Sequence, residues 1–151
     1  FLRFETEKKF IEREYTSREI FKALNVNSEN KIALSTQLQA GVMFFKKNEV
    51  STQFLKDYDN VLSKDPKLIT DFYNSNQASY FIENRHDQSL FSILGKKYNS
   101  YILQNETEFR NRKKDQFDFP ILTVRASNHG IKDKVKLTLF KKKFGKKTRY
   151  F

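Results

Sequence analysis

The segment from Glu83 to Tyr98, ENRHDQSLFSILGKKY, places polar side chains that could do chemistry directly before an apolar run with helical spacing. Arg85, His86, Asp87 and Gln88 follow one another there. A carboxylate in the first turn of a helix is stabilised by free backbone N–H groups and by the partial positive charge at that end. Asp87 could therefore accept hydrogen bonds from sugar hydroxyl groups, and Gln88 could donate or accept them. The alternative is that Asp87 only caps the helix and forms a salt bridge with Arg85.

The surrounding pattern predicts helices alternating with strands. Thr16 and Ser17 precede a short helix in REIFKALN, and a longer helix ends before Pro66. The apolar stripe of the longer helix consists of Val50, Phe54, Leu55, Tyr58, Val61 and Leu62. A third helix starts at about Asp87, with Gly95 near its end. Strands are predicted in QLQAGVMFFKK (buried on at least one face), NSYILQ, PILTVRAS and KVKLTLF. These elements indicate an α/β or α+β domain.

Charge is distributed unevenly along the 151 residues, whose formal net charge is +11. Residues 132–151 hold nine Lys or Arg and one Asp, a net of +8, which leaves +3 for the rest of the chain. A short basic tail is typical of an interaction arm or a solvated end. The chain has no Cys, so disulfides and thiolate chemistry are excluded. Two His residues exclude a metal site built from three histidines.

Several motifs, in their order along the chain, resemble GT-A-type glycosyltransferases of the glycogenin and galactosyltransferase group. That group carries Asn-Ala/Ser-Gly-Val-Met at a strand, and Gln39 to Met43 read QAGVM. It later carries Asp-Gln-Asp before a helix, where Asp87 and Gln88 match and Ser89 replaces the second Asp. Near its end it has a His-containing loop and a Lys that meets the diphosphate. The segment NHGIKDK offers His129 with Lys132 or Lys134 for those places.

The chain is also similar to a set of bacterial glycosyltransferase-like proteins over about residues 12–130. The matching segments are EREYTSREIFKAL, QAGVMFFKK, NRHDQSLFSILGKKY and FPILTVR. The resemblance implies an α/β fold, namely the C-terminal part of a GT-A-like (Rossmann-like) mixed sheet flanked by helices. Residues 1–131 would form this C-terminal portion of a glycosyltransferase-like domain, and residues 132–151 the basic C-terminal tail.

The implied function is transfer of a glycosyl group from a nucleotide sugar, a UDP-sugar above all, to a glycan or lipid-linked acceptor with Mn²⁺ or Mg²⁺. Asp87 and Gln88 would be the catalytic pair. Substrate-binding residues would be Gln39, Ala40, Gly41, Arg85, His86, Arg125, Lys132 and Lys134, and His129 would bind the metal. Gln39 would bind sugar hydroxyls or else face solvent. Gly41 would allow close approach of the sugar or else a tight crossing in the core.

Asp57 and Asp59 imitate the Asp-x-Asp metal motif of these enzymes, but both lie in the predicted long helix and point in different directions. The metal carboxylates are therefore expected upstream of Phe1, and the chain is interpreted as a piece of a longer protein. Two expectations follow from this. The 151 residues alone should bind nucleotide sugar weakly and show no turnover. The QAGVMFF strand should also leave an apolar patch where the missing part would dock.

Two other classes of function stay open at this stage. A nucleic-acid-binding module would use the basic tail and its aromatic residues, although no binding motif is recognised, and nucleic acid is not the expected partner. A non-catalytic interaction domain would need no reactive residue at all. If the chain is a transferase, it is expected in the cytoplasm, with residues 132–151 as a peripheral contact to the inner membrane. The competing interpretation of that segment is an edge strand protected by Lys, followed by a frayed end.

Overall fold

The computed structural model describes residues 2–6 and 9–103 of the chain. Strands β1 (Leu2–Glu5), β2 (Leu38–Phe44) and β3 (Tyr101–Leu103) form one mixed sheet in the order β2-β1-β3. β1 pairs antiparallel with β2, with Leu2 opposite Phe44, and parallel with β3, with Leu2 opposite Tyr101. Helices α1 (Arg18–Ala23), α2 (Glu49–Lys64) and α3 (Asp87–Lys97) are accompanied by 3-10 turns at Glu12–Glu14, Pro66–Ile69 and Asp71–Tyr73. The strands predicted in PILTVRAS and KVKLTLF lie outside the described residues.

The three helices predicted from the sequence are confirmed. α1 follows Ser17, which occupies the cap position without a side-chain hydrogen bond to the helix. α2 begins at a capping box in which Asn48 accepts from the backbone N–H of Ser51 at 2.9 Å, and it ends ahead of Pro66. α3 begins at Asp87 and runs two residues past Gly95. Each helix is amphipathic, so its periodic apolar face could be recognised without knowing its partner.

The apolar core joins the three helices. It consists of Ile20, Phe21, Leu24, Ala33, Phe54, Leu68, Leu90, Ile93 and Leu94. The apolar stripe predicted for α2 is buried only at Phe54, while Tyr58, Val61 and Leu62 pack partly buried against the core. Val50 and Leu55 are exposed, so the buried face of α2 is narrower than the sequence predicts. No helix in the described part of the chain is both long enough and apolar enough to cross a membrane.

β2 is buried only where α3 covers it. Leu38 and Gln39 are buried, whereas Gly41 and Phe44 are exposed. The helix reaches the strand through Ser92, whose hydroxyl accepts a hydrogen bond from the backbone N–H of Leu38 at 2.7 Å. The prediction of a buried face therefore holds for the first half of β2 and is wrong for the second half.

Apolar side chains lie exposed at the far end of the sheet. Phe44 is 48% exposed and Tyr101 is 68% exposed. Both pair with Leu2, one across each side of β1, so both lie on one face of the sheet. Ile102, at 42% exposure, is one residue further and lies on the other face. The sequence-based expectation of an apolar patch at β2 agrees with these exposures, but the described residues do not test what would cover it.

A hydrogen bond between Tyr98 and Asp57 ties the end of α3 to the middle of α2. This bond, together with burial, raises the pKa of Tyr98 to about 12. The same bond, helped by one from Gln53, lowers the pKa of Asp57 below its ordinary value. A raised Tyr pKa stabilises the fold below the unfolded value of about 10, and this contribution is lost as pH rises to about 12. A lowered Asp pKa stabilises the fold above about pH 4, and this contribution is lost as pH falls further.

We expect Tyr98→Phe to lower the free energy of unfolding by about 1 kcal/mol near neutral pH, because the bond is partly screened by solvent. The difference from the wild type should shrink at about pH 3, where protonation of Asp57 begins, and above about pH 11. Urea unfolding followed by circular dichroism at the three pH values measures it. Tyr101→Phe is the matched control, since the Tyr101 side chain is 68% exposed. A loss that is the same at all three pH values would contradict the assignment of this bond.

Candidate functional site

The helix α3 begins with a strained turn at His86. This residue, and not Asp87, is the cap of the helix, and its side chain makes no capping hydrogen bond. Its backbone has φ 53° and ψ −123°, a region that is populated almost only by glycine. Such a conformation costs about 1 to 3 kcal/mol in a residue with a Cβ atom and tends to occur at functional sites. Because His86 occupies the cap position, the interpretation of Asp87 as the cap is wrong.

Residues on both sides fix the His86 turn in place. The backbone N–H of Arg85 donates to the carbonyl of Tyr15 at 3.2 Å. The hydroxyl of Ser89 also donates to that carbonyl, at 2.7 Å. The backbone N–H of Gln88 donates to the Arg85 carbonyl at 3.1 Å, which closes the turn. These three hydrogen bonds hold the strained turn in place.

The imidazole ring of His86 is paired with Asp71. Nε2 of His86 lies 2.9 Å from Oδ1 of Asp71, and the two side chains are 46% and 75% exposed. The hydrogen bond from His86 is the main cause that lowers the pKa of Asp71, and Asn74 donates a second bond to the same oxygen at 2.9 Å. When Nε2 carries the proton in this bond, Nδ1 of a neutral ring is an acceptor. The arrangement is that of a histidine oriented by a carboxylate.

Asp87 presents a carboxylate to solvent at the first turn of α3. Within residues 2–6 and 9–103 its side chain makes no hydrogen bond and no ion pair. Its negative charge acts on the phenol of Tyr58 on α2. Burial of Tyr58, followed by the negative charge of Asp87, raises the pKa of that phenol. Tyr58 in turn stacks on Phe91 with ring centroids 4.0 Å apart. The charge of Asp87 is therefore within electrostatic range of a pair of stacked aromatic rings.

Arg85 is engaged with aromatic rings instead of with Asp87. Its guanidinium lies 3.7 Å from the ring centroid of Phe10 and 4.9 Å from that of Tyr15. Its Nε is 3.6 Å from a carboxylate oxygen of Glu83. The salt bridge between Arg85 and Asp87 considered from the sequence is therefore wrong. Arg85 holds the turn in place, and its predicted role in substrate binding stays untested.

Gln88 connects α3 to the chain just before β2. Its Nε2 donates to Oε1 of Gln37 at 2.9 Å. Gln37 is fully buried, and its own Nε2 donates to the Tyr15 carbonyl at 3.0 Å and to the Thr16 hydroxyl at 3.1 Å. The side chain that was predicted to be catalytic thus satisfies a buried amide, which is a structural role.

A buried ion pair lies under the same helix. Glu12 is fully buried, and one of its carboxylate oxygens accepts from Nζ of Lys96 at 2.7 Å. The same oxygen accepts from the Ser92 hydroxyl, and the other accepts from Thr16 at 3.1 Å. Lys96 also donates to the carbonyl of Thr36 at 2.6 Å. This network was missed from the sequence, because its members are scattered from Glu12 to Lys96 and no local pattern links them.

α3 contacts β2 at the opposite end of the strand from the one expected for a sugar site. Ligands of open α/β sheets bind at the carboxyl ends of the strands, so the sequence predicts Asp87 and Gln88 at that end of β2. Instead, Gln88 bonds to Gln37 at the amino end. Gln39 is 6% exposed, so it does not face solvent. Ala40 is half-buried. Gly41 is exposed, and a Cβ atom there would meet nothing within 4 Å, so the tight crossing in the core is wrong.

The remaining site predictions concern residues outside the described part. They are Arg125, His129, Lys132 and Lys134, together with the basic tail at 132–151. In residues 2–6 and 9–103 no group of three or more Asp, Glu or His could hold a metal ion. Asp57 is occupied by Tyr98 and Gln53, which agrees with its rejection as a metal ligand. The metal predicted at His129 stays a prediction, because its ligand lies outside the described residues.

Comparisons of the chain with protein families, with curated proteins and with solved structures give no match. The His86 turn and the groups around it are therefore the basis for assigning a function. Asp71 and Tyr58 belong to this site and were not anticipated. Asp71 precedes His86 by 15 residues, so no spacing within the motif could have indicated it.

The strain at His86 can be measured by comparing two substitutions. We expect His86→Gly to be more stable than His86→Ala by about 1 kcal/mol, because both remove the ring and only glycine relieves the backbone. In most loops the order is reversed or the difference is small, since glycine loses more entropy on folding. Thermal and urea unfolding of the two variants measure this difference. Equal stability of the two would mean that the turn carries no strain.

Proposed function

We propose that this chain takes part in the transfer of a glycosyl group from a nucleotide sugar to a glycan or lipid-linked acceptor, and that it supplies the acceptor side and part of the donor site. The observation that carries the proposal is the strained His86 turn, which exposes an imidazole and the Asp87 carboxylate side by side. The ordered series of motifs from EREYTSREIFKAL to FPILTVR adds support from the sequence. The fold class, a GT-A-like mixed sheet flanked by helices, is part of the same proposal.

The chemistry of a sugar suits these groups. A saccharide presents hydroxyl donors on a ring with apolar faces, and Asp87 offers a charged acceptor within electrostatic range of Tyr58, which stacks on Phe91. Hydrogen bonds to an ionised acceptor are shorter and about twice as strong as neutral ones. The free N–H groups of the first turn of α3 stabilise that charge. Asp87 is therefore assigned to hold a hydroxyl group of the acceptor.

His86 is assigned to the proton transfer. An acceptor hydroxyl becomes a better nucleophile when its proton passes to a base in the transition state. Nδ1 of His86 can take that proton, because Nε2 is already committed to Asp71 at 2.9 Å. Asp71 then stabilises the imidazolium that results, as the lowered pKa of the Asp71 carboxyl favours its charged form. The new glycosidic bond forms from the hydroxyl oxygen, and the nucleoside diphosphate leaves.

The donor side of the proposal rests on residues outside the described part. There Arg125, Lys132 and Lys134 would neutralise the diphosphate, and His129 would be a ligand of Mn²⁺ or Mg²⁺. A cytoplasmic location, with the basic tail at an anionic membrane surface, belongs to the proposal as well.

Saturation-transfer NMR on the 151-residue protein tests the acceptor role. A panel of mono- and disaccharides is added at millimolar concentration, with UDP-glucose and UDP-galactose in separate samples. We expect saturation transfer to at least one saccharide, which is lost on substitution at Asp87, and weak signals from the UDP-sugars. A protein that binds no saccharide of the panel, or binds one equally well without the Asp87 carboxylate, would overturn the proposal.

A further inference from the structure

A cavity on the other side of α1 is separate from the His86 turn. It has a volume of about 300 Å³ and lies between the Glu12–Glu14 turn, α1 with the loop after it, and the segment around Tyr80. That volume is at the lower end of the range for small-molecule sites in proteins, about 300 to 1,000 Å³. Its lining includes Arg13, Arg18, Lys22, Phe21, Val26 and Tyr80.

The charged residues that line the cavity are all cations. Arg18 is neutralised by Glu19, with its guanidinium 3.2 Å from the carboxylate. Lys22 is exposed and makes no ion pair with any described residue. Arg13 meets Glu29 only through its terminal NH1, at 3.3 and 3.4 Å, and Glu29 is 66% exposed. The cavity therefore retains positive charge that its own surroundings do not neutralise.

The Nε atom of Arg13 is a buried donor without an acceptor in the described part of the chain. A buried N–H group that lacks a partner costs about 1 to 3 kcal/mol, so native proteins rarely leave one unsatisfied. The guanidinium lies over the ring of Tyr80, with its central carbon 4.8 Å from the ring centroid. Because Nε is shielded from solvent, a ligand in the cavity would meet the rest of the guanidinium. A phosphate or carboxylate oxygen is the acceptor that matches a guanidinium best.

The rest of the lining is apolar. Phe21 is 4% exposed and belongs to the core, and Val26 packs partly buried against it. Tyr80, at 37% exposure, offers a ring at the cavity rim. A ligand that fills the cavity would therefore need an anionic head near Arg13 and Lys22 and a compact apolar body between these side chains.

The geometry points to a binding site for a small organic anion, a phosphomonoester with an apolar or aromatic body of about the size of a benzene ring. Arg13 would bind the anionic head through its guanidinium, Lys22 would add a second cation, and the body would lie against Val26 and Tyr80. The site uses none of the residues assigned to sugar binding, so it does not depend on the proposed function.

Phenyl phosphate is the probe, and isothermal titration calorimetry on the full 151-residue chain is the measurement. We expect saturable binding that weakens at least tenfold in Arg13→Gln and at least threefold in Lys22→Gln, and that weakens as salt concentration rises. Lys31→Gln removes an exposed lysine that does not line the cavity and should bind like the wild type. Lys22 is exposed, so its variant tests the site even if Arg13→Gln destabilises the fold.

Two related ligands separate the contributions of head and body. Inorganic phosphate should bind more weakly than phenyl phosphate, because it lacks the apolar body, and phenol should bind more weakly still, because it lacks the charge. Equal affinity for phosphate and phenyl phosphate would overturn the apolar part of the site. Absence of phenyl phosphate binding, or binding that neither Arg13→Gln nor Lys22→Gln changes, would overturn the site as a whole.

Discussion

Replacement of Lys96 by Met is expected to lower the free energy of unfolding by about 3 to 5 kcal/mol near neutral pH. The substitution keeps a long side chain but leaves the carboxylate of Glu12, which is fully buried, without its cation. Removing one partner of a buried ion pair costs this much because the remaining charge stays out of water uncompensated. The thioether also cannot donate to the Thr36 carbonyl, which Lys96 reaches at 2.6 Å. The total stability of a domain is about 5 to 15 kcal/mol, so much of it would be lost.

Urea unfolding of two further variants makes this result specific. Lys97→Met removes the neighbouring lysine, which is exposed and donates to the Leu24 carbonyl at 2.6 Å. We expect it to cost about 1 kcal/mol. The double variant Glu12→Gln with Lys96→Met should be more stable than Lys96→Met alone, because it buries no unpaired charge. If Lys96→Met costs no more than Lys97→Met, the ion pair does not hold the Glu12–Glu14 turn and α3 together.

Asp87→Asn is expected to reduce saccharide binding more than tenfold while the fold stays intact. The substitution keeps the shape of the side chain and removes its charge, so each hydrogen bond from a sugar hydroxyl becomes an ordinary neutral one. The loss of a negative charge at the first turn of α3 costs about 0.3 to 1 kcal/mol of stability. Saturation-transfer NMR and thermal unfolding on the same samples measure the two effects.

Asp59→Asn is the matched control for Asp87→Asn. Asp59 is an exposed acid on α2, and its loss should leave both saccharide binding and stability close to the wild type. A fall in binding that follows a fall in melting temperature would assign Asp87 to the fold and not to the ligand. Unchanged binding in Asp87→Asn would remove this carboxylate from the site.

The sequence predicted the helices well because each one carries its own periodic apolar face. The end of α2 could be predicted from Pro66, and the start of α3 from the polar residues before its apolar run. β1 was not predicted, since it spans only Leu2–Glu5 and is defined by its pairing with two distant strands. The two 3-10 turns at Pro66–Ile69 and Asp71–Tyr73 are held by side chains, such as the hydroxyl of Tyr73 on Asp65 at 2.7 Å. No short-range pattern indicates such bonds.

For the candidate site, the sequence placed the polar residues at the start of α3 but not the contacts that each one makes. It predicted that the polar group before α3 matters, and it started the helix at Asp87. It could not show that His86 adopts a backbone that favours glycine, because a histidine gives no sign of positive φ. It also could not distinguish Asp87, which is exposed, from Gln88 and Ser89, whose partners Gln37 and Tyr15 come from far away in the chain.

The positions of α3 differ in burial, and this difference determines which of them can change during evolution. Ser89 and Ser92 are fully buried and hydrogen-bonded, so a change at either is opposed by selection for a folded protein in any lineage. Asp87 is expected to contribute little to stability, so only selection for the proposed ligand would keep it. A descendant that no longer needed the ligand would let position 87 drift and would keep both serines. Such a protein would keep most of the motif, so its sequence would indicate the proposed function after that function had been lost.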